Sequence, residues 1–107
     1  MGFIMHHNDV FLIEINKKKS ADKIFYKILY VINSYNFSDT ITVKKNELVG
    51  NIITVPESFW ENIELNGVIG SKLNNIIHRM EKGEEFGLPI YLGNLQDVHN
   101  ATDGHKE

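Results

Sequence analysis

A single α+β domain is the fold class this sequence predicts, and three observations carry the prediction. Residues 10–15 form a short apolar run rich in β-branched and aromatic side chains. Residues 21–35 place apolar side chains at intervals of three and four. Two β-rich runs then flank the polar segment 44–47. A chain of 107 residues fits one domain and is too short for two ordinary cores. With 42% hydrophobic and 23% charged residues, it has the balance of a chain that folds.

The elements follow in order. Residues 9–15 read as a mostly buried strand, closed by the charged cluster 16–19. Ser20 then offers an N-cap oxygen and Asp22 an anion for the first turn. Ile24, Phe25, Ile28, Leu29, Ile32 and Tyr35 make one continuous helical face, predicting a core-facing helix over 21–35. Residues 39–43 alternate polar and apolar side chains, residues 44–47 form a turn, and residues 48–55 resume β character with Gly50 as a bulge. The pair reads as a hairpin.

Pro56 suits the first turn of a helix, in which Phe59, Trp60 and Ile63 share one side and Glu57, Glu61 and Glu64 another. Asn66-Gly67 interrupts the pattern. One reading breaks the helix there and restarts it near Ser71, with Leu73, Ile76, Ile77 and Met80 inward and Gly83 at its end; the other makes 63–69 a tight hairpin. Residues 88–92 form a last strand, placed at a sheet edge because Pro89 cannot donate to a ladder. The order β-α-β-β-α-β predicts a ferredoxin-like split sheet with both helices on one face, the second interrupted. The domain is expected over 1–93, with 94–107 as a flexible tail in which Leu95 and Val98 are the anchors.

With no cysteine, disulfides, thiolate metal sites and thiol nucleophiles are excluded. Residues 1–8 lack a basic leader pattern and the apolar run after them is short, so neither a signal peptide nor a membrane span is expected, and cytoplasmic residence follows. Without such a signal, the glycosylation pattern Asn100-Ala101-Thr102 carries no meaning.

Charge is unevenly spread. Residues 1–50 hold seven lysines against five carboxylates, for +2, while 51–107 hold four basic residues against nine carboxylates, for −5. An acidic second half repels phosphate and attracts a basic partner, which disfavours nucleic acid as the main ligand.

No constellation of residues supports catalysis. Of the histidines, only His99 and His105, with Asp103, lie close enough in sequence to share a metal, and a tail does not hold such a site, so no metal or other cofactor is expected. His78 reads as a surface or boundary position on a helix. Glu84-Glu85 and the row Glu57, Glu61, Glu64 lack the contrasting environments that paired acid/base carboxyls need. Residues 67–72 are not a P-loop, since the glycine spacing and the Gly-Lys-Ser/Thr order are absent. Gly67-Val68-Ile69-Gly70 resembles the clamp loop of KH domains but has no basic residue inside it. Lys17-Lys18-Lys19 reads as a solvated turn without an aromatic platform beside it.

In overall character the chain resembles small bacterial immunity proteins, such as those that protect cells from toxins delivered in contact-dependent growth inhibition. It shares their short cysteine-free chain, their Ile/Asn/Lys-rich composition, an acidic half and the lack of a catalytic constellation. The resemblance implies a tight 1:1 complex with a toxin domain, often a basic nuclease, whose active site or substrate path is blocked. Glu57, Glu61, Glu64, Glu84 and Glu85 would steer and pair with the partner's cations, and Trp60 would anchor it or else lie in the core. A phage-type inhibitor of a defence nuclease fits the same physics. The alternative is a nucleic-acid-binding ferredoxin-like domain using Lys17, Lys18, Lys19, Lys23, Lys44 and Lys45.

Overall fold

The computed structural model describes residues 6–97. Its elements are β1 (Asp9–Ser20), β2 (Lys23–Ile32), β3 (Tyr35–Asn46), β4 (Gly50–Thr54), α1 (Glu57–Asn62), α2 (Gly67–Glu81) and β5 (Ile90–Asn94). They build one curled, wholly antiparallel sheet in the order β4-β3-β2-β1-β5, with two helices. The ferredoxin-like β-α-β-β-α-β arrangement is therefore overturned, because the predicted first helix is β2, so that β1 to β4 follow one another as a meander and both helices lie in the crossover from β4 to β5.

The error has a physical cause in the sequence of β2. Both of its faces carry apolar groups, so Ile24, Phe25, Ile28, Leu29 and Ile32 satisfy a helical stripe. Ile24, Tyr26, Ile28, Tyr30 and Ile32 satisfy a period of two equally well, and these are the buried side chains. β-Branched and aromatic residues fill most of the segment and favour the extended form. Tyr26 and Tyr30, which the helical reading left outside its apolar face, have no solvent exposure.

Three short turns complete the meander, the first at Ala21 (φ 54°) and Asp22 between β1 and β2. Asn33 (φ 51°) and Ser34 (φ 72°) link Ile32 to Tyr35 with both central residues left-handed, the geometry a two-residue hairpin loop requires. Asn46 closes the β3–β4 loop, its Oδ1 accepting from the Leu48 and Val49 N–H groups at 2.8 and 3.1 Å, and Gly50 takes φ +87° beside it. The strands of this hairpin are the two runs that flank 44–47. The turn itself lies at 47–49, so Lys44, Lys45 and Asn46 belong to β3.

The helices follow the broken-helix reading and not the hairpin. Glu64 (φ 57°) and Leu65 (φ 58°) reverse the chain after α1. Asn66 caps α2, its Oδ1 accepting from Ile69 N–H at 2.9 Å. α2 thus begins at Gly67, one turn before the expected start at Ser71. Ile69, Leu73, Ile76 and Ile77 point into the core with Tyr26, Tyr30, Ile41, Phe59 and Ile63.

β5 lies at the sheet edge against Asp9, Val10, Phe11 and Leu12 of β1, and Pro89 precedes it. Residues 94–97, expected in the tail, are fastened: Leu95 is buried, its N–H bonds Asn8 O at 2.9 Å, and its carbonyl accepts from Asn66 Nδ2 at 3.0 Å. Val98, His99, Asn100, Asp103 and His105 lie outside the described residues. Among those described, no helix is long and apolar enough to cross a membrane.

Candidate functional site

The acidic helix α1 is short, so its position depends on tertiary contacts more than on its own hydrogen bonds. Phe59 points inward with no exposure, edge-on to Tyr30 at 5.0 Å between ring centroids. Asn62 Nδ2 donates to Tyr30 Oη at 2.9 Å, Tyr30 Oη donates to Asp39 at 2.5 Å, and Ser58 Oγ bonds the other oxygen of Asp39. Burial and the Asp39 carboxylate push the Tyr30 phenol well above its ordinary range, so the hydroxyl remains a donor.

This clamp turns the other side of α1 outward. Trp60, next in sequence to Phe59, is half-buried with its indole laid on Gly70 of α2, where an added Cβ would overlap the ring. The Gly-x-x-Gly pattern is therefore a packing device within α2, not a loop that clamps a ligand. Gly70→Ala is expected to destabilise the fold by about 1–3 kcal/mol, the usual cost of forcing a methyl into a packed site. Because Trp60 is the one tryptophan in the chain, a red shift of its emission reports the displaced ring directly; unchanged emission and stability would contradict the packing.

Trp60 walls a shallow, open cleft of about 390 Å³ whose remaining lining is Gly70, Ser71, Asn74, Asn75 and His78. Positions 71, 74, 75 and 78 form one stripe along the outer side of α2. No side chain in that stripe has an intramolecular hydrogen bond or ion pair among the described residues, so its amide, hydroxyl and imidazole groups are available to a partner. Helical spacing carried this stripe in the sequence, and the helix expected from Ser71 already holds all four positions; the wall that Trp60 forms on Gly70 is a tertiary contact without a sequence mark.

The five candidate glutamates fall into two groups. Glu57, Glu61 and Glu64 are exposed around Trp60, on α1 or just after it, without an ion pair among the described residues. Glu84 and Glu85 follow the C-terminus of α2, some 15–20 Å along the helix axis from the Gly70 level. Glu84 is held by Arg79, with Nη2 at 2.8 Å and Nε at 3.0 Å, and this pairing lowers its carboxyl below the usual range. Arg79 in turn covers the Phe86 ring, 5.0 Å from its centroid. Glu57, Trp60, Glu61 and Glu64 thus lie on α1 or just after it, while Glu84 and Glu85 lie beyond the other end of α2.

A second polar cluster escaped the sequence reading. Glu81, at the end of α2, has a side chain only 2% exposed; it accepts from the Tyr26 hydroxyl and pairs with Lys17 Nζ at 3.1 Å and Lys45 Nζ at 4.0 Å. Among the described residues, no three His, Cys, Asp or Glu side chains converge as a metal set would.

No protein-family model matches the sequence, and comparison with curated proteins finds no match.

Proposed function

We propose that this protein is a stoichiometric protein-binding inhibitor, in the manner of a cytoplasmic immunity protein, and that the α1/α2 face centred on Trp60 docks a basic toxin domain of nuclease type. One observation carries the reading: a tryptophan fixed on Gly70 walls an open cleft among uncommitted polar side chains, and Glu57, Glu61 and Glu64, exposed and without an ion pair among the described residues, lie within four residues of it in sequence. Aromatic anchors within a polar, charge-complementary rim are the features that supply affinity and steering in protein interfaces. A bound partner would have its substrate path or active site covered. A phage-type inhibitor of a defence nuclease would use the same face in the same way.

The test is affinity capture from host-strain lysate at low and moderate salt, with nuclease treatment, comparing the wild-type chain with the Glu57→Gln/Glu61→Gln/Glu64→Gln variant. The expected result is one basic protein in 1:1 ratio that survives nuclease treatment and binds the variant at least tenfold more weakly. An Arg79→Gln/Glu84→Gln control, altering the pair beyond the far end of the cleft, leaves capture unchanged. Recovery of nuclease-sensitive complexes alone would overturn the proposal.

A further inference from the structure

The sheet face turned away from the helices sorts the lysines in a way the sequence did not disclose. Lys17 and Lys45 lie on the helix-covered side, committed to Glu81. Lys18, Lys23, Lys27 and Lys44 point to the open side, are exposed, and have no ion pair among the described residues. Register places them in rows: Lys23 opposite Lys44, then Lys18 opposite Phe25 and Phe25 opposite Thr42, then Asn16 opposite Lys27 and Lys27 opposite Thr40. Glu14, opposite Leu29 in the next row, is the one carboxylate in these four rows. Two cavities of about 300 Å³ each cross this face, sharing Asn16 and Lys27. The half-buried Phe25 ring lines one of them and Leu29 the other.

We infer that this open face is a binding site for single-stranded nucleic acid, in which Phe25 takes a base and Lys18, Lys23, Lys27 and Lys44 track the phosphates. Unpaired ammonium groups on both sides of a ring match the alternation of base and phosphate along a strand. Thr40, Thr42 and Asn16 supply neutral hydrogen-bonding groups between them. A base must be splayed out of its stack to enter such a groove, which favours a single strand over a duplex. The chain's acidic net charge does not oppose this, because the carboxylates around Trp60 belong to the other layer of the molecule. The site is independent of the proposed docking of a basic protein.

Fluorescence anisotropy with a labelled mixed-sequence 12-nucleotide strand, DNA and RNA, between 50 and 200 mM salt tests the inference. Four phosphate contacts predict a log–log salt slope of about −3, and Lys18→Gln/Lys27→Gln should reduce its magnitude by about 1.4. Phe25→Leu, which keeps apolar volume but not the ring, should weaken binding by about fivefold or more at unchanged slope. Thermal unfolding checks that both variants remain folded, and the lysine pair tests the site without touching Phe25. The Glu57→Gln/Glu61→Gln/Glu64→Gln variant binds the strand no more weakly than wild type, which separates this site from the protein-docking face. No binding at 50 mM salt, tighter binding to the duplex, or equal binding of heparin with no effect of Phe25→Leu would each overturn the inference.

Discussion

Phe59→Ala is expected to destabilise the protein by about 3–5 kcal/mol in urea unfolding at neutral pH, the range for removing a buried aromatic ring. Phe59 has no solvent exposure and packs edge-on to Tyr30 at 5.0 Å and to Trp60 at 6.4 Å. A helix as short as α1 has almost no stability of its own, so losing this ring removes its principal attachment to the sheet. Trp60 emission should therefore shift to the red, and amide exchange in α1 should accelerate before that of β2. Phe59→Leu, which refills most of the volume, should cost far less. A loss under about 1 kcal/mol for the alanine variant would mean that α1 is held by Ser58, Asn62 and Ile63 alone. The functional consequence is direct, because the glutamates of α1 and Trp60 are presented together only while α1 stays docked.

Glu81→Ala is expected to cost about 2–4 kcal/mol, since it removes an almost inaccessible carboxylate and leaves the buried Tyr26 hydroxyl without its acceptor. Lys17 and Lys45 lose their counter-charge at the same time. Burial alone would raise the Glu81 carboxyl, but the Tyr26 hydrogen bond and the two ammonium groups outweigh it and hold the group below its ordinary 4.5. The sign of the pH effect follows. The unfolded chain binds this proton more readily than the folded one, so the stabilisation is complete above about pH 4.5 and is lost as the pH falls through the lower folded value. Urea midpoints measured from pH 6 down to pH 3 should fall steeply for wild type and less steeply for Glu81→Gln. Asp9 and Glu84, whose carboxyls are also lowered, contribute to the slope that remains. Burial raises the Asp9 carboxyl too, but hydrogen bonds from Asn94, from the His6 N–H at 2.8 Å and from Tyr91 together hold it below its ordinary 3.8. Identical profiles for wild type and Glu81→Gln would show that the cluster does not titrate in this way.

Several parts of the candidate site were readable from residue chemistry alone. The acidic helix with Glu57 and Glu61 exposed, Phe59 and Ile63 as its inward residues, and an interruption before the second helix are local patterns that tertiary structure left in place. However, α1 ends before Glu64, Trp60 turns away from Phe59 to lie on α2, and the chain reverses at Glu64-Leu65 rather than at Asn66-Gly67. The stripe 71, 74, 75, 78 lay within the expected helix, but exposed polar side chains carry no mark of a cleft until Trp60 packs on Gly70, a contact between two helices. Lys18, Lys23 and Lys44 were named in the nucleic-acid alternative, but not their sidedness or Lys27: as a turn after a strand, Lys17-Lys18-Lys19 had no sides, whereas within β1 Lys17 faces the Glu81 cluster and Lys18 the open face.

By itself, then, the sequence determined a single folding unit without disulfides, a strand at its start, a β3–β4 hairpin, an acidic helical segment followed by a break, and an edge strand near its end. Only the tertiary structure decided that residues 23–32 are a strand. Period-two and period-3.6 patterns coexist there, and what separates them is burial of Tyr26 and Tyr30 against α1 and α2, contacts more than 25 residues away along the chain. That one choice replaced the first crossover with a meander, placed every strand antiparallel to its neighbours, and left Lys18, Lys23, Lys27 and Lys44 on the sheet face opposite the helices.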